Sequence, residues 1–87
     1  MNDILRVFAS LSRIKLMLCL KNKEKNVSQL IKTCGLSQLA VSQHLAKLKK
    51  WGLIDGEKKG KEIYYRLKSK KTISICENLY KFVKKTL

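Results

Sequence analysis

The chain has 87 residues, enough for one small domain with little surplus core, able to fold alone but helped by a partner subunit. Twenty Lys and Arg against six Asp and Glu leave a formal charge of +14, which points to a polyanionic partner unless the lysine is a general bias of composition. One histidine, six scattered acids and no nucleophile–base constellation exclude any argument for an enzyme, a cofactor or a small-molecule substrate. No stretch reaches the roughly 18 consecutive apolar residues of a membrane span. The N-terminus has no basic region leading into an unbroken apolar segment, so no secretory signal is expected. Three cysteines, at positions 19, 34 and 76, are an odd number; they predict no disulfide framework and fit a reducing cytoplasm.

Residues 3–10 read as a first helix with Ile4, Leu5 and Phe8 on one side. Ser12 offers a cap for a second, Arg13 to Asn22, with Ile14, Met17, Leu18 and Cys19 facing inward. Asn26 caps a short third helix, Val27 to Cys34, burying Val27, Leu30 and Ile31. Gly35 then stands where a left-handed residue ends a helix. The chain turns within three residues into a fourth helix, 37–50, opened by Ser37. Two short helices joined by such a Gly-containing turn make a helix-turn-helix.

The fourth helix carries the functional signal. Val41, Leu45 and Leu48 recur at spacings of four and three, which is one buried stripe. With Val41 at zero and about 100° per residue, Leu39, Gln43, Ala46, Lys47 and Lys50 fall opposite, with Gln38 and Ser42 beside them. That face suits a DNA major groove. Glutamine pairs with an adenine edge, lysine with guanine or phosphate, and Leu39 touches a thymine methyl. The alternative for the same face is an ordinary solvated surface.

After Trp51-Gly52 the periodicity turns alternating. Leu53-Ile54-Asp55 and Ile63-Tyr64-Tyr65-Arg66-Leu67 flank a charged, glycine-bearing turn and predict a hairpin. Its tip, 55–62, carries Lys58, Lys59 and Lys61 and forms a basic wing, although surface hairpins also use lysine against edge pairing. A last helix, about Lys71 to Thr86, sets Ile73, Cys76, Tyr80, Val83 and Leu87 at spacings of three, four, three and four. Ile75, Leu79 and Phe82 widen that seam. With Ile4, Leu5 and Phe8 it offers a dimer surface, the alternative being a purely core-facing role. The fold class predicted is mainly α with a small β-hairpin, in the order α-α-α-α-β-β-α: a winged helix-turn-helix spanning 1–87 as a single DNA-binding and dimerisation domain.

Over nearly its whole length the sequence resembles the ArsR/SmtB family of winged-helix bacterial repressors. The resemblance rests on Ser12-Arg13-Ile14-Lys15-Leu16, Val27-Ser28-Gln29-Leu30, Leu36-Ser37-Gln38, Val41-Ser42-Gln43-His44-Leu45, Leu48, Gly52-Leu53-Ile54 and Tyr64-Tyr65-Arg66-Leu67. It implies a homodimer that binds an imperfect palindromic operator on double-stranded DNA and blocks transcription until a signal releases it. It also implies DNA contacts from Gln38, Leu39, Ser42 and Gln43 and from the hairpin tip.

The family's metal sensors use Cys-x-Cys at the start of the third helix, where this chain has Asn26 and Ser28. Others place Asp-x-His and His-x-x-His/Glu in the last helix, where Glu77 is the single acid. No metal site is expected, because borderline and soft metals need clustered Cys or His. His44 reads as a boundary residue. The family's thiol sensors pair a cysteine of the second helix with one of the last, which implies Cys19 with Cys76. Against that pattern Cys19 is one residue out of register and Cys76 roughly two turns early. Core packing is the other reading of all three cysteines. Two further functions fit the fold: a protein-interaction adaptor, and a non-specific nucleic-acid-binding protein.

Overall fold

A computed structural model describes residues 3–86; the side chains of residues 3, 4 and 86 lie outside the described residues. The elements are α1 (Asp3–Val7), α2 (Leu11–Cys19), α3 (Val27–Cys34), α4 (Gln38–Lys50), β1 (Ile54–Lys59), β2 (Glu62–Leu67) and α5 (Lys70–Thr86). This is the predicted order, a winged helix-turn-helix with its hairpin between α4 and α5. Among the described residues no helix is long and apolar enough to cross a membrane.

The caps explain where the helices begin. Ser37 accepts from the Ala40 N–H at 3.1 Å and opens α4. Asn26 and Gln29 form a reciprocal capping box on α3, with both bonds at 2.9 Å. At α2 the cap is Ser10 rather than Ser12: its hydroxyl accepts from the Arg13 N–H, so the helix starts at Leu11. It also stops at Cys19, short of Asn22. The last turn tightens into bonds from Leu20 to Met17 and from Lys21 to Leu18, and Lys21-Asn22-Lys23 offers nothing apolar to bury.

Glycine sets both ends of the recognition unit. Gly35 closes α3 at φ 69°. Gly52, at φ 74°, closes α4 in a Schellman motif, its N–H bonding to Lys49 and that of Leu53 to Leu48. One cluster forms the core: Ile14, Leu16 and Met17 of α2, Leu30 of α3, Val41, Leu45 and Leu48 of α4, with Val7, Leu20, Ile54 and Cys76. The α4 stripe is as predicted. On α2 the structure also buries Leu16, outside the expected inward set, whereas Leu18 and Cys19 are only half-buried.

β1 and β2 pair antiparallel from Ile54↔Leu67 to Lys59↔Glu62 around a two-residue turn. The connection between α2 and α3 adds a strand-like contact: Lys25 and Tyr65 exchange backbone bonds of 3.1 and 2.8 Å. The outer edge of β2 is therefore tied to the helical body.

Two further sequence expectations differ from the structure. Cys76 was placed on the dimer seam, but it is fully buried against the core, and Tyr80 of the same seam packs on that core. Cys76 and Tyr80 of the a/d stripe are thus turned toward their own domain, where α5 packs against α2. The outward face of α5 carries Ile75 (46% exposed) and Phe82 (68%) instead, with Ile73 and Val83 half-buried at the boundary. Secondly, Cys19 is bonded not to Cys76 but to Cys34, with a Cα–Cα distance of 6.5 Å, and Cys76 is the free thiol. An odd number of cysteines thus still leaves room for one disulfide. α3 lies against α2 and brings the two helix C-termini together, while Cys76 points into apolar packing.

Candidate nucleic-acid interface

With Val41, Leu45 and Leu48 buried at 0, 3 and 0% exposure, the helical rotation of about 100° per residue obliges the opposite side of α4 to face solvent. Gln38, Leu39, Ser42, Gln43, Ala46, Lys47 and Lys50 are all exposed, Leu39 to 68%. Every side chain selected for the outward face is available. Ser37, also expected to contact DNA, is exposed; its hydroxyl oxygen accepts from the Ala40 N–H at the helix cap and its O–H stays able to donate. A leucine flanked by amides and lysine offers a groove both an apolar contact and hydrogen-bond donors and acceptors.

The wing follows α4 after three residues. Strands of six residues reach roughly 20 Å and carry Lys58, Lys59 and Lys61 at the tip, all exposed. Lys59 is the one of the three with a local partner. Its ammonium bonds the Glu24 carboxylate and lies 5.6 Å from the Tyr64 ring centroid. The hydrogen bond to Glu24 raises the Lys59 pKa, so the ammonium is held charged. Sequence spacing gives no hint of this pair, since Glu24 and Lys59 are separated by 35 positions. With the Lys25–Tyr65 bridge it fastens the wing to the body at two adjacent residues.

Four surface ion pairs, Lys21–Glu77, Lys59–Glu24, Arg66–Glu57 and Lys68–Asp55, engage four of the six acids. Exposed pairs of this kind contribute little stability. Their effect is on the field: among the described residues, Lys47, Lys49 and Lys50 of α4 and Lys58 and Lys61 of the wing form no ion pair. α4 carries no acid and has three lysines in its last turn, and the wing tip adds Lys58 and Lys61, so both candidate contact elements present positive charge.

His44 occupies the flank of α4 turned toward α2. Burial, then the nearby Arg13 and Lys47 charges, push its pKa down, and its Nδ1 is buried without a hydrogen-bond partner. Arg13 lies 5.5 Å over the Trp51 ring and donates to the Arg6 carbonyl at 2.9 Å, pinning the end of α4 to the start of α2. A cation beside His44 suits a neutral packing group. Among the described residues no three His, Cys, Asp or Glu cluster as metal ligands would.

A mainly helical body, an outward-facing second helix of a helix-turn-helix and a lysine-tipped hairpin define a winged-helix regulator. The chain belongs to the arsR family of bacterial regulatory proteins, whose model matches residues 11–56. It is 38% identical over 65 residues to the HTH-type transcriptional repressor SmtB of Mycobacterium tuberculosis, covering 75% of this chain and 48% of that protein. To the transcriptional activator HlyU of Vibrio cholerae it is 32% identical over 78 residues, covering 90% of this chain and 72% of that one. The chain thus spans about half the length of the mycobacterial relative. Solved structures agree in fold. HlyU of Vibrio cholerae superposes with a TM-score of 0.78 at 31% identity, over 92% of this chain and 87% of that one. The transcriptional repressor BigR of Xylella fastidiosa gives 0.81 at 28%, over 92% and 82%. The family and these relatives are transcriptional regulators, not enzymes.

Proposed function

We propose that the chain is a dimeric, sequence-specific DNA-binding regulator, a repressor that holds an imperfect palindromic operator with α4 and the wing and works in the cytoplasm. One observation carries this reading: Gln38, Leu39, Ser42, Gln43 and Lys47 share the exposed side of a helix whose other side is core. α4 supplies base contacts from Gln38, Leu39, Ser42 and Gln43, and Lys47 reaches guanine or phosphate. Lys58 and Lys61 at the wing tip neutralise backbone phosphate, and Lys59 joins them by exchanging Glu24 for DNA.

Residues 1–87 act as one binding and dimerisation domain. The second copy packs on the outward side of α5 around Ile75 and Phe82, together with Leu5 of α1, 62% exposed, and the half-buried Phe8, Ile73 and Val83. The side chain of Ile4, expected on this face, lies outside the described residues, as does Leu87. The paired α4 helices of a two-fold dimer would enter successive major grooves about one helical turn apart.

The test is selection of bound duplexes from a random DNA pool at moderate salt. A two-fold-symmetric motif is expected. Gln43→Ala should relax preference at one base pair per half-site, worth about 1–3 kcal/mol each. Enrichment of no sequence, with Gln43→Ala binding as the parent does, would favour the non-specific reading.

A further inference from the structure

We propose that the cleft between the α2–α3 connection, the end of β2 and the start of α5 binds a small soluble polyphosphate, a di- or triphosphate group that is free or carried on a nucleoside. Five cations line it, Lys21, Lys23, Arg66, Lys68 and Lys70, and no acid does. Lys21 and Lys23 come from one segment and the other three from another far along the chain, so only the fold brings the five together. The cleft holds about 290 Å³, close to the lower end of the range for small-molecule sites. Leu20, which is buried, and Leu67, half-buried, give it an apolar lining between the charges.

The charge around the cleft is only partly balanced. Lys21 bonds Glu77 at 2.7 Å, Arg66 bonds Glu57 at 3.2 Å and Lys68 meets Asp55 at 3.7 Å, and all three acids stand outside the lining. Among the described residues Lys23 and Lys70 form no ion pair. The three pairs are exposed and therefore weak, so their cations can turn to a ligand at little cost. A carboxylate would engage a single Arg or Lys and leave the rest crowded together. A di- or triphosphate engages several at once, with the Arg66 fork on two oxygens and the lysines as point charges.

Side chains make this site, not the helix end beside it. Ser69 already occupies the start of α5: its Oγ accepts from the Lys71 N–H and its carbonyl from the Thr72 N–H, both at 3.2 Å. The Ser69 hydroxyl and the Asn22 amide add neutral donors to the lining. No lining residue belongs to α4 or to the wing tip, and Arg66 pairs with Asp55 near the root of the hairpin. The cleft is therefore separate from the proposed DNA contacts. A free polyphosphate fills a recess of this size, whereas a duplex, a stiff rod of phosphates, meets a recess only at its rim.

The probe is inorganic triphosphate, titrated into the full chain at about 0.15 M salt, with calorimetry for affinity and amide NMR shifts for location. Saturable one-to-one binding is expected, with the largest shifts at Asn22, Lys23, Lys68 and Ser69. Removing the two unpaired cations in Lys23→Ala/Lys70→Ala should weaken binding about tenfold or more through lost charge-assisted contacts, with circular dichroism checking that the variant folds. Lys58→Ala/Lys61→Ala removes the same charge at the wing tip and should leave the affinity within about twofold, because salt screens charges beyond about 8 Å. Equal losses in the two variants, shifts confined to α4 and the wing tip, or no saturable binding would overturn the site. So would a duplex that moves the cleft amides where triphosphate does not, which would make the patch a DNA contact. A chain that binds triphosphate in the cleft but no duplex keeps this site and loses the regulator reading, so the two fail separately.

Discussion

Gln43 and Val41 lie two positions apart on one helix, yet one meets solvent and the other is sealed in the core. Two steps of about 100° separate them, and that rotation assigns a chemical role to each side chain. His44, one step further, shows what a boundary position costs. Its folded pKa lies below the ordinary value of about 6.5, because burial and the Arg13 and Lys47 charges disfavour the imidazolium. The unfolded chain therefore takes up the proton first as the solution is acidified. Stability from the neutral ring is present above the ordinary value and is lost as pH falls through the lowered one. Thermal unfolding followed from about pH 7 to about pH 5 should show Tm falling, and His44→Gln should flatten that fall. An unchanged slope in His44→Gln would assign the acid sensitivity to other groups. The boundary position of His44 was legible from the helical wheel. Its unpartnered Nδ1 and the Arg13 charge were not, since Arg13 arrives from another helix.

At the scale of elements, α4 and α5 contrast. Both carry clear apolar stripes, but α4 has one apolar side, and so one way to pack. α5 has apolar residues at 73, 76, 80 and 83 and again at 75, 79 and 82, so either stripe could be chosen as the core side. The fold buries Cys76 and leaves Ile75 and Phe82 outward, which moves the proposed dimer surface by part of a turn. Ile75→Glu should accordingly shift the chain toward monomer in sedimentation, with its circular dichroism retained, and weaken operator binding by tenfold or more through loss of the second half-site, an effect of about 1.4 kcal/mol or larger. A dimer that persists in Ile75→Glu would relocate the interface. The wing shows the same dependence on assembly. Its strands follow from alternation and its turn from Gly60, but its fastening by Glu24–Lys59 and Lys25–Tyr65 joins segments 35 and 40 positions apart, beyond any local pattern.

The whole molecule is a +14 body whose six acids are mostly used up in surface pairs away from α4. DNA binding should fall steeply with salt, the logarithm of affinity dropping with a slope of about −0.9 per phosphate neutralised. Lys58→Ala should reduce that slope by about one per protomer on operator and random duplex alike. Lys59→Ala should reduce it less, because Lys59 must first give up Glu24. Equal losses in the two variants would show that the Glu24 pair does not survive at the DNA surface.

Helix periodicity, caps and the switch from a 3.6-residue to a two-residue repeat are local properties, written within a few neighbours along the chain. They sufficed for the element order, the burial of Val41, Leu45 and Leu48 and the outward face of α4. The partner of Cys19, the inward turn of Cys76 and the two ties of the wing depend on which helices cross and where their ends meet. Contacts of that kind are set by packing between distant segments, and no spacing within a single element encodes them.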